Sequence, residues 1–295
     1  MPLVSVIMNC YNGQDYLAEA INSLINQTYK NWELIFWDNL SNDSSSEIVK
    51  SFADERIKYF RAKKHGTLGE GRSKAIKKVN GKYITFLDTD DIWYPSRLKE
   101  CVDAFQASKD ISLVYSNTKF FNQNSTKILY KKEQPSGLIS KNLLTNYHLS
   151  LESVSINRDY LDTLDVKFDK NFSHIADFDL FVRISLFGKA KYLNKVLCGW
   201  RIHGNNESIK RSEQFIKEKE LWIKKYKNNK LFRKYNLEIE ELDLICKAEK
   251  KLNKLNLFDV NSLFYLKKHK FICKRNLFKY LLSCIPILKI IYKLK

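Results

Sequence analysis

Glycine and proline are scarce in this chain, at 9 and 4 of 295 residues. No Gly/Ser-rich or Pro-rich linker divides it, and no internal repeat is visible. Six cysteines, Cys10, Cys101, Cys198, Cys246, Cys273 and Cys284, lie far apart with no CxxC pair among them. That spacing argues against a disulfide framework and reads as free thiols in a reducing cytoplasm. Long hydrophobic runs are missing as well. Toward the C-terminus the longest uncharged stretch, Tyr280–Leu288, has nine residues, far short of the roughly 20 that cross a bilayer. The early apolar stretch VSVIM is too short for a signal-peptide core and reads as a strand, so no signal peptide is expected. What is plentiful is apolar and aromatic content, 44% and 13%, enough for a sizeable core and too much for wholesale disorder.

Acidic residues are absent after Asp259. Residues 205–295 hold 23 Lys/Arg against 10 Asp/Glu, so this region carries a net +13 of the chain's +18. The basic character therefore belongs to a Lys-rich helical extension, 207–295, and the first 206 residues need a separate account. The last part, 267–295, mixes nine Lys/Arg with Leu, Ile, Phe and Tyr. It suits the surface of an anionic membrane, at about 1 kcal/mol per Lys or Arg near the headgroups, with Pro286 as a kink. A helix packing back on the chain or on another subunit is the alternative. Nucleic-acid binding is not expected, because no nucleic-acid module accompanies the basic residues.

The first 95 residues switch period repeatedly. Strands are expected at Val4–Met8, Glu33–Trp37, Ile57–Phe60 and Tyr83–Leu87. Between them, helical spacing covers Asp15–Tyr29, where Leu17, Ile21, Leu24 and Ile25 recur, then Ser44–Phe52 and Leu68–Val79, with Gly81 as a stop signal. This alternation predicts an α/β fold, a mostly parallel sheet with helices on both faces. Beyond it the pattern is mixed: strands at Ser112–Ser116 and Ala190–Cys198, helices near Leu138–Tyr147 and at Asp177–Leu186. Ligands of open parallel sheets bind beyond the carboxyl ends of the strands. There the chain places Asn9–Asn12, Asp38–Asp43 and Asp88–Asp91.

The segment FLDTDDIWYP, 86–95, sets Asp88, Asp90 and Asp91 at the end of an apolar run. Such carboxylates serve either a hard cation or hydrogen bonds to a ribose and nearby backbone. Mg²⁺ and Mn²⁺ commonly take one or two carboxylates plus substrate phosphate oxygens. Asp88 and Asp90, two apart, would share a side on an ideal strand. A capped turn, with Asp90 or Asp91 as N-cap of a helix starting near Pro95, is the structural alternative.

In order along the chain, VSVIMNCYNG, FWDNLSNDSSSEIV and GEGRSKAIKKVNGKYITFLDTDD resemble the family 2 glycosyltransferases of GT-A fold. A second stretch, ADFDLFVRISLFGKAKYLNKVLCGWRIHGNNES, resembles that family's ED-x-DL-x-x-R…RxHxxN-x-S segment. The resemblance implies a Rossmann-like catalytic domain over 1–206, with a nucleotide-binding half to residue 100 and an acceptor half after it. It implies inverting transfer of a sugar from a nucleotide diphosphate, usually UDP, with Mn²⁺ or Mg²⁺. The acceptor would be a glycan or a lipid-linked sugar of a bacterial surface polysaccharide, met at the inner face of the cell membrane.

Residue by residue, the resemblance puts Asp38 at the base edge, with Asn9 and Tyr11 shaping the nucleotide pocket. Arg72 would pair with the diphosphate or with Asp38. Asp88 would face ribose and metal, Asp90 would be the principal metal ligand, and Arg201 and His203 would lie near the diphosphate, His203 as a metal or phosphate contact. Asp177 matches the second residue of the family's ED pair and is the expected base; Ala176 stands where the first acid would be, removing a neighbouring carboxylate. Asp179 and Arg183, at i and i+4, read as a structural pair. Leu40 replaces a glycine common in the family. Trp93 is expected at the floor of the sugar pocket, and His65, His148, His174 and His269 have no motif support. Two other classes compete. A catalytically inactive scaffold of the same fold would explain Ala176. A nucleotidyltransferase would need a Gly-rich basic loop after the first strand, which CYNGQDYLAEA does not supply.

Overall fold

The computed structural model describes residues 1–204, 206 and 212–254, so the basic stretch 267–295 lies outside the described residues. The chain forms two compact units, Met1–Lys210 and Arg211–Lys295.

Nine strands build one sheet in the first unit: β1 Val4–Cys10, β2 Trp32–Asp38, β3 Ile57–Arg61, β4 Tyr83–Phe86, β5 Ile92–Trp93, β6 Ile111–Phe121, β7 Thr126–Ile128, β8 Ser155–Asn157 and β9 Lys189–Arg201. Across the sheet they run β3-β2-β1-β4-β8-β6-β9-β5, with β7 on β6. Strands β3, β2, β1 and β4 are mutually parallel. That is the half in which strand and helix alternate. Beyond β4 the sheet is mixed: β8 is antiparallel to both β4 and β6, β6 and β9 are parallel, and β5 is antiparallel to β9.

Among the described residues, seven helices flank the sheet: α1 Gln14–Ile25, α2 Ser45–Ser51, α3 Leu68–Ala75, α4 Arg97–Ala107, α5 Ser140–Thr145, α6 Arg158–Leu161 and α7 Ala176–Ser185. Alternation along β1 decides which layer each covers. Val6 and Met8 join Leu17, Ile21 and Leu24 of α1, and Leu98, Val102 and Phe105 of α4, in one core cluster. Phe86 of β4 meets Phe168 and Phe181 of α7 through ring contacts at 5.7 and 5.9 Å. Leu17, Ile21 and Leu24 are fully buried, which contributes about 1.5–3 kcal/mol per side chain.

In the second unit, helices Ser212–Tyr226 and Asn236–Lys254 are joined by the 3₁₀ turn Lys230–Tyr235. Trp222, Tyr226 and Phe232 cluster with centroids 4.7–5.2 Å apart, and Ile239 and Cys246 are buried. Lysines line the outside, two of them reaching across: Lys250 to Glu220 at 2.7 Å and Lys219 to Glu249 at 3.3 Å. Among the described residues, no helix is long and apolar enough to cross a membrane.

Candidate active site

The loops after β1 and β2 interlock. Backbone N–H groups of Asn12, Gly13 and Gln14 donate to Ser41 Oγ, Ser45 Oγ and Asp43 Oδ2, each at 3.0 Å. In return, Asn42 and Ser44 N–H donate to Asn12 Oδ1 and Gln14 Oε1 at 3.0 and 2.9 Å. The polar run SNDSSS thus satisfies the open N-terminal turns of α1 and α2. Asn12 and Leu40 hold positive φ of 52° and 71°. Leu40 therefore occupies a left-handed position where glycine would be unstrained.

Asp38, at the end of β2, is fully buried. Its Oδ1 accepts from Ser41 N at 2.7 Å, its Oδ2 accepts from the Tyr59 hydroxyl at 2.5 Å, and the Arg61 Nε lies 3.8 Å away. Beside it, Tyr11 is about half exposed and meets the His65 ring at 4.2 Å. Asn9 Nδ2 and Trp37 Nε1 are buried donors without a hydrogen-bond partner. Both lie within 4 Å of where a Cβ on Gly71 would stand.

Helix α3 starts with a capping box between Thr67 and Glu70 and carries Arg72 into the site. Gly69 permits its close docking, since a Cβ there would sit 2.1 Å from the carbonyl oxygen of Phe172. Arg72 is buried and pairs with Asp88, Nη2 to Oδ1 at 3.8 Å; it does not pair with Asp38. Asp88 lies in a recess. Burial pushes its pKa up to about 7, with Arg72 pulling down and Asp90, Glu152 and Asp177 pushing further up. The recess is open on one side, leaving 41% of the Asp88 side chain accessible, and water there moderates the rise.

Residues from the end of β9 close this corner. His203 Nε2 is 2.9 Å from Asp90 Oδ2 and 3.2 Å from Asn206 Nδ2. Arg201 donates from Nε to the Asp90 carbonyl at 2.9 Å and from Nη2 to Glu19 at 2.6 Å. Its guanidinium lies over the rings of Tyr16 and Phe121 at 4.4 and 4.6 Å. The main-chain N–H of Arg201 also donates to Asp91 Oδ1 at 2.9 Å.

Asp91 and Glu152 are both buried. Burial pushes both carboxyls up, and Glu152 is the strongest charge acting on Asp91. Arg97 lies fully buried close by, donating to the Glu152 and Val154 carbonyls and to Thr85 Oγ1, and stacked 3.9 Å from the Trp93 ring. Trp93 is accordingly a buried core residue, its indole N–H bound to the Glu152 carbonyl at 3.0 Å.

On the other flank, Asp177 stands in the first turn of α7, where a carboxylate suits the helix dipole. Its Oδ2 accepts from the Tyr147 hydroxyl at 2.8 Å. Asp179 and Arg183, two residues on, form a buried bidentate pair with Nε–Oδ1 at 3.1 Å and Nη2–Oδ2 at 2.5 Å, and Arg183 also ties down the Val166 and Lys167 carbonyls. That pair is structural. Asp88, Asp90, Arg72, Arg201, His203 and Asp177 therefore converge on one edge, with Asn9, Tyr11 and Asp38 at the adjoining ends of β1 and β2. Glu152, Tyr147 and His65 were not signalled by any motif; only their chemistry and the fold bring them in.

An open α/β sheet whose carboxyl edge gathers aspartates, two arginines and a helix-borne acid has the architecture of the GT-A-type glycosyltransferases. The chain belongs to that class through glycosyl transferase family 2, whose family model matches residues 5–162. It is 32% identical over 198 residues to the Escherichia coli UDP-Glc:alpha-D-GlcNAc-diphosphoundecaprenol beta-1,3-glucosyltransferase WfgD, covering 67% of this chain and 74% of that one. In fold it is similar to S. aureus TarS 1-349 in complex with UDP-GlcNAc, with TM-score 0.67, 17% identity, and 97% and 80% of the two chains covered. It is also similar to the mannosyltransferase PcManGT from Pyrobaculum calidifontis in complex with GDP-Man and Mn²⁺, with TM-score 0.65, 15% identity, and 98% and 82% covered.

Proposed function

We propose that this glycosyltransferase moves a sugar from a UDP-sugar to a hydroxyl of a glycan or lipid-linked acceptor, with inversion at the anomeric carbon. One observation supports the reading: Asp88, which faces Arg72 at 3.8 Å, feels the charge of Asp177, as expected if donor and acceptor groups serve one recess. Asp177 takes the proton of the acceptor hydroxyl as that oxygen attacks the anomeric carbon. The bond from that carbon to the diphosphate oxygen breaks on the opposite face, and UDP leaves with the electron pair. In this reading Arg72 faces the phosphate charge, and Asp38, Asn9 and Tyr11 receive the nucleoside.

Asp90 and His203, in contact at 2.9 Å, with Asp88 two residues from Asp90, would hold a hard divalent ion, Mn²⁺ or Mg²⁺, only as part of a ligand set. Among the described residues no group of three or more His, Cys, Asp or Glu side chains is gathered as a complete site, and donor phosphate oxygens would supply the remaining ligands. Bound there, the cation would stabilise the negative charge developing on the diphosphate. The similarity to an enzyme named for a diphosphoundecaprenol-linked acceptor supports a lipid-linked acceptor and thus work at a membrane face.

The test is incubation with a panel of UDP-sugars, Mn²⁺ and a lipid-linked sugar acceptor, read by mass spectrometry. Transfer that chelation abolishes and Asp90→Asn cripples is expected. No transfer and no donor hydrolysis with any sugar, while Asp90→Asn leaves UDP binding unchanged, would overturn the reading.

A further inference from the structure

Ala176 leaves the family's paired acid with only one member here, and Asp177 has another partner instead. The Tyr147 hydroxyl, just past α5, donates to Asp177 Oδ2 at 2.8 Å. The Tyr147 ring is fixed edge-on against Phe178 at 5.2 Å, the residue following Asp177 on α7. Among the described residues, Asp177 Oδ1 makes no hydrogen bond. The carboxylate is thus clamped through one oxygen and offers the other.

We propose that Tyr147 is a positioning residue that orients Asp177 toward the acceptor hydroxyl, an inference that rests on the base role given to Asp177 above. A lone carboxylate on a helix rotates about its final torsion with little restraint; a hydrogen bond to one oxygen removes that freedom. Proton abstraction is sensitive to such alignment, and a misplacement of about 1 Å can cost on the order of 100-fold in rate. Burial and the nearby Asp177 carboxylate push the Tyr147 phenol well above its ordinary range, so it remains a donor wherever Asp177 is charged. Tyr147 touches no reacting atom in this scheme. It acts only through Asp177.

The kinetics of four proteins test this: wild type, Tyr147→Phe, Asp177→Asn and the double variant, with the UDP-sugar and acceptor found active in the panel. Tyr147→Phe should lower kcat about 10- to 100-fold while the donor KM and UDP affinity stay within about twofold. The double variant should lose no more than Asp177→Asn alone, because the two changes remove one function. Unchanged kcat in Tyr147→Phe, a loss confined to KM, or additive losses in the double variant would overturn the proposal while leaving the base assignment standing. Full activity in Asp177→Asn overturns that assignment and the inference with it, as does a wild-type chain that transfers nothing. Should Tyr147→Phe melt early, Phe178→Leu keeps the hydroxyl but frees the ring. It should lower kcat in the same direction, and an unchanged kcat in that variant counts against the proposal.

Discussion

Asp88 should make donor binding depend on pH in a range where ordinary aspartates are silent. Its folded pKa, about 7, is raised from the ordinary 3.8 by burial and by neighbouring carboxylates. The sign follows from linkage: the folded, ligand-free protein holds a proton that the unfolded chain has already lost, so ionising Asp88 weakens folding as pH rises from about 4 toward 7. In the proposed mechanism a cation with its diphosphate would need the ionised form, so binding would expel that proton, and affinity should rise over the same interval. With a pKa of about 7, the ionised fraction is roughly one-eleventh at pH 6 and ten-elevenths at pH 8, a ratio of about tenfold.

Water on the open side of Asp88, 41% accessible, screens its neighbours and makes tenfold a ceiling. A UDP-sugar is the ligand to use, since UDP ends in a phosphate that itself titrates near pH 6. Calorimetric titration with UDP-sugar and Mn²⁺ at about pH 6, 7 and 8 should show affinity climbing several-fold in wild type. Asp88→Asn should bind more weakly and lose the part of the slope that Asp88 supplies. Equal slopes in the two proteins would refute the argument, because the proton released would then belong elsewhere.

Three further outcomes are expected. Gly69→Ala places a Cβ 2.1 Å from the Phe172 carbonyl oxygen; α3 must shift, at about 1–3 kcal/mol, and Arg72 moves with it, so thermal stability and UDP affinity should fall together. Arg97→Met removes the buried guanidinium that holds the Glu152 and Val154 carbonyls and Thr85 and that opposes the charge of Glu152. It should cost roughly 3 kcal/mol, read as a lower urea midpoint at constant slope. Trp222→Ala empties the aromatic centre of the second unit at about 3–5 kcal/mol, and limited proteolysis should then cut within 212–254, while the UDP binding proposed for the first unit should be retained.

The parallel half of the sheet is legible because each of its strands is a buried apolar run separated by a helix of clear period. Val4–Met8 and Glu33–Trp37 lie within the observed β1 and β2. Strands β5, β7 and β8 are two or three residues long, too short to show any period, and Ile92–Trp93 is hidden inside a segment dominated by its aspartates. The Asp179–Arg183 pair is readable from spacing alone, whereas Arg97 looks like an ordinary surface charge near a helix start. Nothing local marks it as fully buried; only the stacking on Trp93 and the carbonyls of residues 152 and 154 explain why it can be. Glu152 and Tyr147 were invisible for a similar reason, since each gains a hydrogen-bond partner from a segment 30 or more residues away.

Direction along the sheet explains how such distant segments reach one place. Strand β8 runs against β4, and β6 runs against β8, so two reversals return β6 to the sense of β4, and β9 follows β6 in parallel. The carboxyl ends of β1, β2, β4 and β9 therefore open on the same edge, which is where ligands meet a sheet of this kind. An even number of reversals is what allows His203, just beyond β9, to meet Asp90, just beyond β4, at 2.9 Å. Had β8 been absent, with β6 pairing directly against β4 in the antiparallel sense, β9 would end on the opposite edge and the WRIH segment would face away from the aspartates. The three-residue strand that shows least in the sequence is thus the one that lets the two motif-bearing halves of the chain form a single site.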